Sequence, residues 1–150
     1  MKLNQEFDFH TYLLKNTKDY TGKYAEYITL LPDLYDLICK MLDSEDLPIK
    51  LRADIYLCIG YLYHPQDIFS EEEHGALGFL DDLMLILTVL RKCAIQDNLG
   101  MNYIKKFAED MSPLLEKLLT TDFKTITNEN KVLFDKLLSV TGMQFYYKSY

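Results

Sequence analysis

The sequence predicts an all-α protein, a single compact bundle of about six or seven helices around one buried helix. Apolar residues recur at steps of three and four along nearly all 150 residues, which is the spacing of one helix face. No segment alternates apolar and polar residues between turn dipeptides, as strands would. The 49% hydrophobic content, with only 4 prolines and 6 glycines, is typical of a folded globular protein. Residues 1–150 are therefore interpreted as one helical domain.

Three helices are predicted in the first part of the chain. The spacing of apolar residues indicates one helix over about 5–16 and a second over about 21–31. Pro32 ends the second helix because proline cannot donate a backbone hydrogen bond, and it suits the first turn of a third helix. In this third helix, PDLYDLICKML, Asp33 lies near the positive end of the helix dipole and stabilises it.

The middle of the chain predicts two longer helices. Pro48 opens the first, which runs through IKLRADIYLCIGYLY and ends before Pro65. In the second, LGFLDDLMLILTVLRKCAI, apolar residues lie on all sides of the helix over 83–90, which predicts a buried central helix near residues 77–95. The uncharged run is far shorter than the roughly 20 residues needed to cross a membrane, so no membrane span is expected.

Two further helices are predicted over about 102–119 and 129–142. The polar stretch TTDFKTITNEN separates them, and Thr127 or Asn128 is expected to cap the last helix. After it comes GMQFYYKSY, whose aromatic side chains either pack on the bundle or form a contact surface for a partner. This candidate partner surface consists of Phe145, Tyr146, Tyr147 and Tyr150.

The net charge of −7 argues against nucleic acids and anionic lipids as partners, because both would be repelled. The basic pairs Arg91-Lys92 and Lys105-Lys106 are interpreted as solvated helix positions. Charged residues interrupt the amino-terminal segment where a signal peptide needs an apolar core, so export is not expected. The three widely spaced cysteines are expected to be buried, reduced thiols of a cytoplasmic protein.

The acidic segment HPQDIFSEEEHGALGFLDD, residues 64–82, is the main candidate for a functional site. Helix-capping rules explain much of its acidity, since Ser70 and Glu73 fit a capping box and carboxylates stabilise helix starts. Those rules do not explain all of it. The remaining carboxylates therefore need a structural partner or a function.

Asp81 and Asp82 lie in the first turns of the predicted central helix. Adjacent residues on a helix point about 100° apart, so at least one of the two is expected to face the protein interior, where it needs a partner. Antiparallel packing with the preceding helix places Tyr61, and not Arg52, nearest to this corner.

A divalent cation such as magnesium or manganese is the alternative interpretation, because carboxylates from a loop and a helix start suit such ions. The candidate ligands are Asp67, Glu71, Asp81 and Asp82, with His74 as an alternative to Glu71. No EF-hand loop, H-E-x-x-H pair, phosphate-binding glycine loop or nucleophile motif occurs in the sequence. The sequence therefore predicts no catalytic residue and no obligatory cofactor, which favours a non-enzymatic protein.

A pattern of eight residues runs through this region: Pro48, Arg52, Tyr61, Pro65, Asp67, Gly78, Asp81 and Asp82. Over about residues 47–92 it resembles the YkvA-like family, small bacterial helical domains of unknown function. In that family a proline opens a helix, a lysine follows four residues later, a tyrosine lies near the helix end, and Pro-x-Asp leads to Gly-x-x-Asp-Asp. Arg52 keeps the charge of the usual lysine, whereas FSEEEHGAL replaces the family's Ile-Pro-Asp. The resemblance implies a helical fold with a structured acidic corner, and no reaction.

The leading functional interpretation is a soluble protein-binding or regulatory module of the inhibitor, antitoxin or accessory type. The absence of catalytic motifs, the acidic charge and the aromatic carboxy-terminal residues support it. Two alternatives stay open: a domain or enzyme that uses a divalent cation at the acidic corner, and a structural homo-oligomer.

Overall fold

The computed structural model describes residues 8–63, 75–95 and 100–143. The α-helical segments in these ranges are α1 (Phe9–Thr17), α2 (Ala25–Ile28), α3 (Leu31–Leu42), α4 (Ile49–Leu62), α5 (Leu80–Ile95), α6 (Gly100–Ala108), α7 (Ser112–Lys117), α8 (Phe123–Glu129) and α9 (Lys131–Thr141). Two 3-10 turns, Gly75–Phe79 and Glu109–Met111, and a π-helical turn, Leu118–Asp122, complete the described elements.

The predicted all-α fold is confirmed, and no strand occurs in the described ranges. From α7 to α8 the chain is continuously helical, so this stretch counts as one helix with a π-helical turn inside it. With the single-turn α2 left aside, the described residues then hold seven helices, as the sequence predicts.

The predicted central helix is α5, and it is enclosed on all sides. Every residue from Leu80 to Cys93 is buried. The neighbours that cover it are α2, α3, α4, α6, α8, α9 and the π-helical turn. Because apolar side chains occupy every face of α5, each of these elements buries its own apolar face against it.

The two predicted proline starts are also confirmed. Pro32 lies in the first turn of α3, where its missing N–H leaves no hydrogen bond unmade. Pro48 directly precedes α4 and has extended backbone geometry.

The second predicted helix, over about 21–31, is wrong in extent, since only the single turn α2 forms there. Tyr24, directly before α2, has a φ of 62°, a left-handed conformation that cannot belong to a right-handed helix. Gly22 packs so closely against Tyr20 that a Cβ at this position would clash. The segment before α2 is therefore a tight turn.

The helix predicted over 102–119 is interrupted. Pro113, in the first turn of α7, lacks the N–H that would continue α6, so the helix restarts there instead of running unbroken over 102–119.

The predicted loop at 120–130 is wrong, because most of it is helical. This stretch buries Phe123 and Ile126, and Thr127 satisfies its hydroxyl by donating to the carbonyl of Phe123 at 2.8 Å. Burial of these apolar side chains outweighs the low helix propensity of the polar residues between them.

Neither Thr127 nor Asn128 caps the last helix. Asn130 precedes α9, and its side chain instead donates to the carbonyl of Ile126, in the last turn of α8, at 2.8 Å. At the other end, α9 stops at Gly142, whose φ of 74° is the left-handed conformation usual after a helix.

The described helices include none with both the length and the apolar character to cross a membrane.

The buried thiols of Cys58 and Cys93 should destabilise the fold in alkaline solution. Burial raises the pKa of Cys93 from its ordinary 9.0 to about 12, and raises the pKa of Cys58 well above 9.0. Above about pH 9 the unfolded chain thus releases protons that the folded chain keeps, which lowers the free energy of unfolding by up to about 1.4 kcal/mol per pH unit and thiol.

Urea unfolding between pH 7.5 and pH 11, in the presence of a reductant, measures this effect. The stability contributed by these thiols is fully present at pH 7.5 and should decline as the pH rises above 9 toward the pKa values of the thiols in the folded protein. The Cys93→Ala variant should lose stability less steeply with pH than the parent protein. Identical pH slopes for the two proteins would show that Cys93 is not protected as described.

Candidate functional site

The first turn of α5 holds two buried carboxylates. Asp81 and Asp82 are 0% and 1% exposed, and they follow directly on the 3-10 turn that contains the buried Gly78. The hydroxyl of Tyr61 donates to Oδ2 of Asp81 at 2.6 Å, and the backbone N–H of Asp82 donates to Oδ1 of Asp81 at 3.0 Å. The predictions that at least one aspartate faces the interior and that Tyr61 lies beside the pair are confirmed.

Arg52 lies away from the aspartates and closes the end of α3. Its guanidinium donates from Nη1 to the carbonyl of Leu42 at 2.6 Å and from Nη2 to the carbonyl of Ser44 at 2.9 Å. The Leu42 carbonyl belongs to the last residue of α3 and therefore has no partner within the helix, and the Ser44 carbonyl lies two residues beyond it, so Arg52 acts as a side-chain cap. The described contacts give this residue a structural role.

Several predicted site residues lie outside the described ranges. They are Pro65, Asp67, Glu71, His74 and the capping-box residues Ser70 and Glu73, together with Phe145, Tyr146, Tyr147 and Tyr150. The divalent-cation site at the acidic corner and the aromatic partner surface therefore stay predictions.

A buried ion pair that the sequence did not suggest links α4 to α5. Lys92 donates to Oδ2 of Asp54, and both side chains are about nine-tenths buried. The interpretation of Arg91-Lys92 as solvated positions is wrong, since both residues are buried. The available signal was Asp54 itself, a lone carboxylate at a position where the helical spacing of α4 requires a buried residue.

A cluster of three titratable side chains joins α1 to α3. Ligand-type atoms of His10, Asp33 and Asp36 lie within 4.8 Å of one another, and Nδ1 of His10 is 2.7 Å from Oδ2 of Asp36. Partial burial raises the pKa of Asp36, while the histidine opposes that shift. One imidazole and two carboxylates are groups that divalent cations accept, but a half-exposed ion pair between two helices explains the same geometry.

The side of α4 that faces away from α5 is apolar as well. Its residues follow one another at helical spacing and carry no charge: Ile49, Ala53, Tyr56, Leu57, Gly60 and Tyr63, hereafter the α4 outer face. All are exposed, with 85% of Ile49, 58% of Tyr56, 41% of Leu57 and 50% of Tyr63 accessible. At the end of this face the hydroxyls of Tyr63 and Tyr35 are hydrogen-bonded at 2.6 Å. Exposed helix faces are normally polar, so this surface is unusual.

Comparison with known proteins gives a relative without an assigned activity. No family model matches the chain, and no solved structure matches it. The chain is similar to "Uncharacterized protein ORF9" of Methanothermobacter thermautotrophicus, with 34% identity over 91 residues. The match covers 61% of this chain and 61% of the relative, so the chain spans less than two thirds of that protein's length. This relative is archaeal, and the resemblance to bacterial YkvA-like domains stays a prediction.

Removing one partner of the Asp54–Lys92 pair should destabilise the protein strongly. Asp54→Ala leaves the buried ammonium group of Lys92 without its carboxylate, and we expect a loss of about 3–5 kcal/mol in the free energy of unfolding. The double variant Asp54→Leu/Lys92→Met removes both charges and should recover most of that loss. Denaturant unfolding measures all three proteins.

The exposed pair Lys131–Asp135, with Nζ and Oδ2 3.2 Å apart, provides the matched control. Asp135→Ala should cost about 1 kcal/mol or less, because the pair is screened by water. If Asp54→Ala costs no more than Asp135→Ala, the buried pair does not stabilise the contact between α4 and α5.

Proposed function

We propose that this protein is a protein-binding module and that the α4 outer face is its binding surface. The observation that supports the proposal is the continuous, uncharged and exposed side of a helix whose opposite side already packs in the core. A contiguous apolar patch on a soluble helix indicates a protein contact, since water solvates such a surface poorly.

The chemistry of the α4 outer face suits a second helix. Tyr56 and Leu57 lie at its middle, and tyrosine is enriched in protein interfaces because it combines a large apolar ring with a hydroxyl. Ala53 and Gly60 flank them, one helical turn to either side. A Cβ built on Gly60 would meet no atom within 4 Å, so the surface there is open to close approach.

The occupant we infer is a second copy of the same chain. If two α4 helices cross antiparallel about a twofold axis between Tyr56 and Leu57, each Ala53 faces the other copy's Gly60. Each Tyr56 then faces the other copy's Leu57, so small residues meet small ones and large residues meet large ones. This self-complementarity is the requirement for an isologous interface.

The absence of charge on the α4 outer face also favours contact between copies there. Each copy carries a net charge of −7, so the two repel one another. The α4 outer face has no carboxylate, and Lys50 and Arg52 lie at its edges. Contact through this face therefore brings no carboxylate of either α4 outer face into the interface, and added salt should strengthen the contact by screening the repulsion between the two copies.

The association should be weak. A helix of 14 residues is about 21 Å long, and two such helices alone bury less than the roughly 1,200–2,000 Å² of a standard stable interface. We therefore expect a dimer that forms in the micromolar range or above and dissociates on dilution.

Sedimentation velocity over about 1 µM to 1 mM tests the proposal. The parent protein should shift from monomer to dimer with concentration, and more readily at high salt. Leu57→Glu, which puts a carboxylate next to the proposed axis, should remain monomeric throughout. The matched control is Leu114→Glu on α7, where the leucine is 52% exposed and outside the α4 outer face, and this variant should associate like the parent.

A parent protein that stays monomeric at every concentration would rule out the second copy as occupant. Loss of association in Leu114→Glu as well as in Leu57→Glu would assign the effect to charge and not to α4. Circular dichroism melting of both variants shows whether the folded state is intact, because both replaced leucines are partly exposed.

A further inference from the structure

A cavity of about 550 Å³ lies where the end of α5 meets α6, α7, α8 and the π-helical turn. Three cationic side chains line it, Arg91, Lys105 and Lys124, together with one carboxylate, Glu116. Among the described residues that line it, cationic side chains therefore outnumber carboxylates by three to one, in a chain whose net charge is −7. This reversal of sign attracts an anion to a protein that otherwise repels anions.

Arg91 provides a fixed charge at this cavity. Only 5% of it is exposed, and its Nη1 donates to the carbonyl of Leu119 at 2.5 Å. Its guanidinium also stacks over the ring of Phe123, 5.0 Å from the centroid. A charge held in place beside apolar side chains acts on a neighbouring anion more strongly than a mobile charge in water does.

The backbone beside the cavity has an uncommon geometry. Leu119 and Thr120 belong to the π-helical turn, and both line the cavity. π-Helical turns are rare and occur frequently at functional sites, because the extra residue displaces side chains and carbonyl groups from regular helix positions. Here the turn presents the Leu119 carbonyl to Arg91, which orients the guanidinium.

The remaining walls of the cavity are suited to an apolar group. Ala94, Ile95 and Met101 line it, next to the cationic side chains. The volume falls in the range of about 300–1,000 Å³ that small-molecule sites usually have. A ligand with an anionic end and a small apolar body therefore matches both parts.

We propose that this cavity binds a small organic phosphate, with the phosphate against Arg91, Lys105 and Lys124 and the apolar body against Ala94, Ile95 and Met101. The three cationic side chains suit a phosphate monoester, which has three strong acceptor oxygens and is close to a dianion above about pH 7. A carboxylate supplies only one negative charge. The site shares no residue with the α4 outer face, so it does not depend on the proposed protein contact.

Isothermal titration calorimetry with phenyl phosphate at about pH 7.5 and low salt tests the inference. We expect saturable binding of one molecule per chain, weaker by about tenfold or more for benzoate, which has the same ring and one charge. Affinity for phenyl phosphate should fall between about pH 7.5 and pH 5 as the ligand gains a proton.

The lysine variants assign the site, since replacing the buried Arg91 endangers folding. Lys105→Ala and Lys124→Ala should each weaken phenyl phosphate binding by about tenfold. Lys136→Ala, which removes the same charge from an exposed position on α9, should leave it unchanged. No saturable heat up to about 10 mM phenyl phosphate, or equal affinity in all three variants, would overturn the proposal. Benzoate binding as tight as phenyl phosphate would overturn the assignment to phosphates.

Discussion

The burial of α5 from Leu80 to Cys93 is the constraint on which the rest of the fold depends. A helix that is apolar on every side must be covered by neighbours, but both of its ends carry charged residues that need partners. α4 supplies two of them, Tyr61 for Asp81 and Asp54 for Lys92, and the π-helical turn supplies the carbonyl of Leu119 for Arg91. The inner side of α4 and the π-helical turn after α7 thus supply partners to the ends of α5, which leaves the outer side of α4 to solvent or to a partner.

The elements that were predictable are those whose local signals agree with their packing. In α3 and α4 a proline marks the start and helical spacing continues to the end, so propensity and burial give the same answer. The stretch 120–130 differs, because its threonines and asparagines indicate a loop while Phe123 and Ile126 are buried in the core. Only contacts with distant helices decide between these signals, and no local rule contains them. The left-handed backbone of Tyr24 could not be predicted from local rules either, since it depends on the turn packed around this residue.

The surroundings of a site residue were predictable only where a signal in the nearby sequence determines them. Two adjacent aspartates at the start of an apolar helix already imply burial, and antiparallel packing brings Tyr61 to them. The pairing of Asp54 with Lys92 joins residues 38 positions apart, so it depends on the rotation of two helices about their axes. The α4 outer face has no such local reason. Apolar residues lie on both sides of α4, and only the packing of the bundle shows which side is left uncovered.

The buried polar contacts of α5 also fix its position against α4. Leucine, isoleucine and methionine side chains on every face of a helix allow several rotations and shifts with similar burial. The contacts Tyr61–Asp81 and Asp54–Lys92 permit one arrangement, because the earlier residue on α4 pairs with the later residue on α5 and both pairs must form together. Such pairs contribute little net stability against well-packed apolar replacements, but any shifted arrangement would leave a buried charge unpaired. We therefore infer that these contacts select the antiparallel register of α4 and α5, and with it which side of α4 remains on the surface.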